Sequence, residues 1–118
     1  MLVDDHQIVR QGIRSLIETM PDCVLCAEAA DGEAALKIAP DARPDVVVLD
    51  VSMPKISGLD VFLDMKAHNP DVRVVVVSGY FEPTMKSNLS AAGIKYFLAK
   101  PYSLNQVVDA LRDSLTEL

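Results

Sequence analysis

Two apolar runs, at residues 46–49 and 74–77, restrict the fold of this chain more than any other feature of its sequence. Both runs are continuous and rich in valine, so neither alternates between apolar and polar residues. A strand with one face in water shows that alternation, whereas a strand covered on both faces does not. The runs therefore predict strands buried on both faces, as in a parallel sheet covered by helices.

Apolar runs alternate with helical patterns along the chain, and this rhythm indicates β-α units around a parallel sheet. The predicted strands lie at residues 2–3, about 24–29, 46–49, 74–77 and about 94–99. Apolar residues that mark the first, second, third and fifth helices are Val9, Ile13, Leu16, Ile17 and Met20; Ala35, Leu36 and Ala39; Leu59, Phe62 and Leu63; and Leu104, Val107, Val108, Leu111 and Leu115. The predicted fold class is α/β, with a doubly wound five-stranded parallel sheet.

Prolines, a glycine and a cap mark the ends of several predicted helices. Pro40 and Pro44 are expected to end the second helix, because proline lacks the N–H that a helix interior needs. Pro83 and Gly93 frame the fourth helix, following the preference for proline at the start and glycine just past the end. Ser103 opens the fifth helix with the spacing of a capping box.

The length and composition are those of one globular domain. The chain has 118 residues, of which 50% are hydrophobic and 24% charged, and we interpret residues 1–118 as a single domain. Its first predicted strand is shorter than the usual strand of about five residues. We therefore expect that part of this strand lies upstream of residue 1.

The charge of the chain argues against direct binding of nucleic acid. The formal net charge is −6, so no positive surface is available to gather phosphates. No apolar run approaches the roughly 20 residues that span a bilayer, and the N-terminal Met1-Leu2-Val3 leads into two aspartates, unlike a signal peptide. We expect a cytoplasmic protein without a membrane partner.

The two cysteines, Cys23 and Cys26, have the CxxC spacing found in some redox and zinc sites. Positions three apart on a strand point to opposite faces, so the two thiols would not face one another. The sequence offers no second cysteine pair or nearby histidine to complete a zinc site. We interpret both cysteines as ordinary core or edge residues.

Polar residues follow four of the five predicted strands. Asp4 and Asp5 follow the first strand and Asp50 follows the third. Ser78 follows the fourth strand and Lys100 follows the fifth. Ligands of open α/β sheets gather beyond the carboxyl ends of the strands. The sequence therefore predicts that three carboxylates, a hydroxyl and an ammonium meet at one edge.

This set of groups suits phosphoryl transfer with a bound Mg²⁺ ion. Three neighbouring carboxylates repel one another unless a cation lies among them, and Mg²⁺ prefers carboxylate and phosphate oxygens. We assign Asp50 as the carboxylate nucleophile, and Asp5 with support from Asp4 as the metal site. Lys100 and the Ser78 hydroxyl would contact the phosphoryl oxygens, where phosphoryl transfer needs positive charge and donors.

Four short segments at the ends of predicted strands carry a more specific signal. They are Val3-Asp4-Asp5-His6, Leu49-Asp50-Val51-Ser52-Met53-Pro54 with Gly58, Ser78-Gly79, and Lys100-Pro101. Each alone is weak, but four in this order resemble the receiver domains of response regulators in two-component signalling. The resemblance covers essentially the whole chain and implies a flavodoxin-like (βα)5 receiver fold.

The resemblance also implies the chemistry of the site. Asp50 would accept a phosphoryl group from the phosphohistidine of a sensor kinase or a histidine phosphotransfer protein. The ligands of Mg²⁺ would be Asp4, Asp5, Asp50 and the backbone carbonyl of Ser52. Such a domain assists its own phosphorylation and dephosphorylation and is not an enzyme.

A switch is implied as well, formed by Ser78 and Phe97. In the family, the hydroxyl moves toward the phosphoryl group and the aromatic ring turns inward, while Tyr96 would face the other side of its strand. The bond between Lys100 and Pro101 is commonly cis. The surface formed by the fourth helix, the fifth strand and the fifth helix transmits the signal, and a homodimer would form there.

Three other functions compete with this interpretation. A phosphatase with an aspartate nucleophile and Mg²⁺ needs a second aspartate two residues on, where this chain has Ser52. A flavodoxin-like electron carrier binds a phosphate in its first loop, which Asp4 and Asp5 would repel. A pseudo-receiver, which binds partners without phosphorylation, usually lacks one of the groups that this chain has.

His6 and His68 are expected to be surface residues without the partners of a catalytic or metal-binding histidine.

Overall fold

The computed structural model describes residues 1–52 and 57–116, and strands and helices alternate throughout them. The elements are β1 (Leu2–Val3), α1 (Gln7–Glu18), β2 (Glu28–Ala29), α2 (Gly32–Ala42), β3 (Val46–Asp50), α3 (Gly58–His68), β4 (Arg73–Ser78), α4 (Pro83–Ala91), β5 (Tyr96–Ala99) and α5 (Leu104–Thr116). Met53 and Pro54, from the motif after Asp50, and the Leu104 side chain lie outside the described part.

The strands form one parallel sheet in the order β2-β1-β3-β4-β5. All five residues of β3 are buried, as the continuous apolar run predicts. Alternate residues of the run lie in different cores, with Val47 and Leu49 on one face and Val46 and Val48 on the other. The prediction of a doubly wound five-stranded parallel sheet is confirmed.

Helices cover both faces of the sheet. One core contains Ala35 of α2, Val61, Phe62 and Met65 of α3, and Leu89 of α4; the other contains Ile13 and Ile17 of α1, and Val107, Ala110 and Leu111 of α5. Full burial of a large apolar side chain stabilises a fold by about 1.5–3 kcal/mol. These stripes therefore hold the helices against the sheet. None of the described helices has the length and apolar character needed to cross a membrane.

The second strand is shorter than predicted, since the ladder includes only Glu28 and Ala29. β2 is an edge strand and pairs with β1, which itself has only two residues. One further hydrogen bond joins the two segments, from Leu2 N to Ala27 O at 3.1 Å. Because β1 is so short, residues 23–26 lie beyond its reach. Val24 is accordingly 88% exposed, and the half-buried Cys23 and exposed Cys26 are free thiols at this edge.

Two expectations about the second and third helices were wrong. Pro40 does not end α2, because it lies in the last turn, where its missing N–H removes a single helical bond. The helix ends two residues later, and Arg43 follows it in the left-handed region with φ 46°. Leu63 does not face the sheet but is 48% exposed. The buried residues of α3 follow the helical spacing i, i+3, i+4 and i+7 from Gly58 through Val61 and Phe62 to Met65, and Leu63 lies off that stripe.

The predicted ends of the last two helices are confirmed. Gly93 has φ 111° just past α4, and its N–H donates to Ser90 O while Ile94 N donates to Leu89 O, both at 3.1 Å. This pattern is a Schellman motif. It places Ile94 in the helix cap, which is why β5 begins at Tyr96 rather than near residue 94.

Ser103 and Gln106 cap the start of α5 reciprocally. Ser103 N donates to Gln106 Oε1 at 2.7 Å, and Gln106 N donates to Ser103 Oγ at 3.2 Å. This is the capping box that the spacing predicts. The peptide bond between Lys100 and Pro101, just before this cap, is cis, as the resemblance implies.

Substitution of Gly58 tests the close approach between the start of α3 and the end of β3. A Cβ at this position would lie 2.7 Å from Val51 Cβ and 3.1 Å from Val51 Cα. We expect Gly58→Ala to lower the free energy of unfolding by about 1–3 kcal/mol, because overpacking forces the backbone to shift. Gly12→Ala is the control, since nothing lies within 4 Å of its Cβ. It should stabilise α1 by about 0.5–1 kcal/mol. Urea unfolding measures both, and equal midpoints would contradict the close approach.

Candidate functional site

The carboxyl ends of β1, β3, β4 and β5 meet at one edge of the sheet, as predicted. Lys100 Nζ lies 3.2 Å from Asp50 Oδ2 and 3.7 Å from Asp4 Oδ2. The Lys100 backbone N–H donates to Ser78 O at 2.8 Å, which holds the start of the lysine segment against the end of β4. The register of the sheet thus brings together residues that are up to 96 positions apart in the sequence.

Asp50 is the most enclosed charged group at this edge, with a relative exposure of 1%. Its Oδ1 accepts hydrogen bonds from Ser52 N at 2.9 Å and Ser52 Oγ at 2.5 Å. Its Oδ2 faces the Lys100 ammonium at 3.2 Å. Both oxygens of this buried carboxylate therefore have partners, as a buried charge requires.

Asp4, Asp5, Asp50 and His6 each offer a ligand atom within 4.8 Å of the others. Asp4 is buried at 6% exposure, whereas Asp5 is more open to solvent. His6 Nδ1 lies 3.0 Å from Asp4 Oδ1 and 3.1 Å from Asp5 Oδ1. His6 is a surface residue, as expected, with its side chain 62% exposed. The expectation that His6 lacks partners was wrong. Its position directly after the two aspartates could have predicted these contacts from the sequence.

The Lys100 ammonium is held charged by its neighbours. Burial by itself would lower the pKa of Lys100, but the charge of Asp50, its hydrogen bond and the charge of Asp4 raise the pKa above its ordinary value. The ammonium is therefore a permanent positive charge between two buried carboxylates at neutral pH. It compensates part of their repulsion and leaves the cluster with an excess of negative charge.

The donor atoms of the cluster fit a hard divalent cation. Carboxylate oxygens from Asp4, Asp5 and Asp50 dominate the set, and Mg²⁺ prefers such oxygens. The Lys100 ammonium faces Asp50 and Asp4, so a cation placed among the three carboxylates would relieve repulsion that Lys100 leaves uncompensated. Ser52, the other predicted ligand, contacts Asp50 through its N–H and hydroxyl.

Ser78 lies at the same edge but its hydroxyl is engaged in its own turn. Ser78 Oγ donates to Tyr80 O at 2.8 Å and accepts from Tyr80 N at 3.2 Å. The residue is buried at 2% exposure. This hydroxyl proton is committed to the Tyr80 carbonyl and would have to leave it to donate to another acceptor.

Phe97 packs against residues that follow β4. Its ring contacts Phe81 edge to face, with centroids 5.5 Å apart, and Lys86 Nζ lies 5.3 Å from its centroid. Tyr96 packs in the core on the other face of the sheet, as the alternation along the strand predicts. Phe81 and Lys86 were not predicted from the sequence, since no local pattern links either residue to β5.

Similar proteins of known family are response regulators, in agreement with the groups found at this site. The family model for the response regulator receiver domain matches residues 1–112. The chain is 36% identical to the response regulator GacA of Pseudomonas aeruginosa over 95% of its own length and 52% of that protein. It is 34% identical to the response regulator UvrY of Escherichia coli, over 95% of the chain and 51% of UvrY. The chain thus spans about half the length of the curated relatives it matches.

Solved structures of response regulators superpose closely on the fold. A two-component response regulator of the LuxR family from Aurantimonas has a TM-score of 0.87 at 30% identity, covering 98% of this chain and 82% of that one. The receiver domain of AraT, a response regulator from Geobacillus stearothermophilus, has a TM-score of 0.85 at 30% identity, covering 96% of this chain and 88% of that one.

The excess negative charge of the cluster predicts that Asp5→Asn stabilises the protein when divalent cations are removed by a chelator. We expect a gain of up to about 1 kcal/mol at pH 8, because two like charges about 4 Å apart in water repel by about that amount. Asp71→Asn, in an exposed turn before β4, should change stability by less than about 0.5 kcal/mol. Urea unfolding of both variants measures the difference. A loss of stability in Asp5→Asn would show that attraction, not repulsion, dominates around this carboxylate.

Proposed function

Because this chain belongs to the response regulator receiver domain family, we propose that it is a phosphorylation-dependent switch of a two-component system, with Asp50 as the phosphoacceptor. The observation that carries this proposal is the environment of Asp50. Its buried carboxylate meets the Lys100 ammonium at 3.2 Å beside the carboxylates of Asp4 and Asp5. These are the nucleophile, the fixed positive charge and the oxygen ligands that phosphoryl transfer uses.

The proposed reaction is transfer of a phosphoryl group from a phosphohistidine of a sensor kinase or a histidine phosphotransfer domain. An Asp50 carboxylate oxygen forms the new bond to phosphorus while the bond from phosphorus to the imidazole nitrogen breaks. The electron pair of that bond stays with the imidazole, which takes up a proton. The product is an aspartyl phosphate on the receiver itself, so the domain is changed by the step and is not a turnover enzyme.

Lys100 and Ser52 would act on the two oxygens of Asp50. Asp50 Oδ1 is held by Ser52, so Oδ2, next to the Lys100 ammonium, is placed to attack. After transfer, the same ammonium can donate to a phosphoryl oxygen, because its three donors turn freely on a flexible stem. The charge of Lys100 therefore serves both the free and the phosphorylated site.

Asp4, Asp5, Asp50 and the Ser52 carbonyl would hold a Mg²⁺ ion in this proposal. A bound Mg²⁺ supplies positive charge that offsets the charge on the phosphoryl oxygens. Asp4 is the buried member of the pair, and its carboxylate accepts a hydrogen bond from His6 N at 2.8 Å, whereas the Asp5 side chain is open to solvent.

The phosphatase alternative finds no support in the contacts of Ser52. That mechanism needs a carboxylic acid at position 52 to protonate a leaving group. Ser52 instead directs both its N–H and its hydroxyl at Asp50 Oδ1. A pseudo-receiver is also disfavoured, since Asp4, Asp50 and Lys100 lie in direct contact.

The signal would leave the site through Ser78 and Phe97. For Ser78 Oγ to reach a phosphoryl oxygen, it must release the Tyr80 carbonyl, which shifts the loop that leads into α4. Phe97 packs on Phe81 in that same loop and under Lys86 of α4. We propose that the surface of α4, β5 and α5 carries the change to a partner and is the site of a homodimer.

The first test of this function is Asp50→Asn. Wild-type protein treated with acetyl phosphate and Mg²⁺ should gain one labile phosphoryl adduct, measured by intact-protein mass spectrometry. The variant should gain none, because an amide oxygen is a poor nucleophile for phosphorus. Asp60→Asn, at an exposed position on α3, is the control and should be modified at the wild-type rate. An adduct on Asp50→Asn at that rate would place the acceptor elsewhere.

The switch is tested by amide hydrogen exchange across residues 83–97 with and without beryllofluoride and Mg²⁺, a mimic of the phosphoryl group. In Phe97→Ala the exchange response of α4 should shrink, because the ring that couples this helix to β5 is absent. Phosphorylation of Asp50 should stay near the wild-type rate. Tyr96→Ala removes a ring from the opposite face of β5 and should retain the response. Equal responses in wild type and Phe97→Ala would leave Phe97 as a packing residue only.

A further inference from the structure

The backbone of Asp4 is held by an arginine outside the acidic cluster. Asp4 N donates to Ala29 O at 3.2 Å, at the end of the pairing between β1 and β2. The Asp4 carbonyl lies past that pairing, and Arg10 Nη1 donates to it at 2.5 Å. Because Asp4 is buried, this carbonyl needs a partner within the protein. The guanidinium takes the place that a strand neighbour would otherwise fill.

Arg10 is itself held by Glu28 of β2. Its Nε lies 3.6 Å from Glu28 Oε1, and the same carboxylate accepts bonds from Nε and Nη2 of Arg14, both at 2.9 Å. Arg10 and Arg14 lie four residues apart and so share a face of α1. Glu28 is aligned with Leu2 in the sheet. The arginines and Glu28 thus connect α1 and β2 to the point where β1 ends.

This connection opposes the repulsion within the cluster. The three carboxylates of Asp4, Asp5 and Asp50 lie close together, and the segment from Asp4 to His6 could relieve their repulsion by moving away from β3. We propose that Arg10 is a positioning residue for the acidic pair, keeping Asp4 and Asp5 beside Asp50 by fixing the Asp4 carbonyl. The inference rests on the proposed function, in which these carboxylates hold a divalent cation.

The charge and the hydrogen bond of Arg10 affect cation binding in opposite directions. Removing a positive charge near the acidic cluster would, by Coulomb attraction alone, strengthen the binding of a cation. Removing a group that orients metal ligands typically weakens metal affinity by about 10–100-fold. The direction of the change therefore separates a positioning role from a simple effect of charge.

The test compares the Mg²⁺ affinity of wild type, Arg10→Gln, Arg10→Lys and Arg14→Gln. The NMR signals of the His6 and Ser52 amides, recorded during a Mg²⁺ titration, measure this affinity. We expect Arg10→Gln to bind Mg²⁺ about tenfold more weakly. Arg10→Lys should also bind more weakly although it keeps the charge, because an ammonium cannot bridge the carbonyl and Glu28 as the guanidinium does. Arg14→Gln makes the same change of charge one turn along the helix and should stay within about twofold of wild type.

A second measurement separates positioning from general loss of stability. In phosphorylation by acetyl phosphate, Arg10→Gln should need more Mg²⁺ to reach half its maximal rate, and saturating Mg²⁺ should restore a rate near that of wild type. Urea unfolding without Mg²⁺ measures the stability that Arg10→Gln and Arg14→Gln each lose with their contacts to Glu28, and the weaker Mg²⁺ binding of Arg10→Gln should persist where both variants are fully folded.

The outcomes also separate this inference from the function beneath it. Mg²⁺ binding by Arg10→Gln that is equal to or tighter than that of wild type would overturn the positioning role. If Arg10→Gln does not fold, Arg10→Lys decides instead, and wild-type Mg²⁺ affinity in that variant would overturn the role. If wild type itself shows neither a Mg²⁺-dependent shift nor a phosphoryl adduct, the proposed function fails first, whatever the variants do.

Discussion

The ion pair between Lys100 and the buried Asp50 is the interaction on which the rest of this structure depends. A carboxylate with 1% exposure is costly by several kcal/mol unless an opposite charge and hydrogen bonds compensate it. Lys100 supplies the charge from the end of β5, and it reaches Asp50 across the end of β4. Three strands must therefore be in register before this charge is compensated, which ties the central sheet to the chemistry at its edge.

The same pair supports the proposal that the site is a switch. One ammonium faces more than one carboxylate, so the free state keeps repulsion that a cation would relieve. A phosphoryl group on Asp50 would add further negative charge and compete for Lys100 and for the Ser78 hydroxyl. Because that hydroxyl is bonded to the Tyr80 carbonyl, a new acceptor at Asp50 would act on the loop before α4 in the proposed function. Local charge would thereby be linked to the position of a helix.

The site is supported from both edge strands of the sheet, β5 and β2. On one side, Lys100 neutralises charge and is anchored through its backbone to the end of β4. On the other, Arg10 and Glu28 hold the segment that carries Asp4. A cluster of like charges is a source of strain, and such supports would keep it assembled before any ligand arrives. Stability given up in the cluster is compatible with function because the cores on both faces of the sheet bury many apolar side chains.

The sequence by itself determined the fold class and the place where most residues of the candidate site meet. The apolar runs at 46–49 and 74–77 encode strands buried on both faces, and residues that end parallel strands must meet at one edge whatever the details of packing. That is why Asp4, Asp50, Ser78 and Lys100 could be assigned to one place. Only the tertiary structure decided the length of β2, which its short partner limits, and the outward direction of Leu63. It alone also joined His6 to the cluster, Arg10 to the Asp4 carbonyl, and Phe81 and Lys86 to Phe97. These contacts join side chains through space, and a pattern that is periodic along the chain records which face a residue occupies but not which neighbour it meets there.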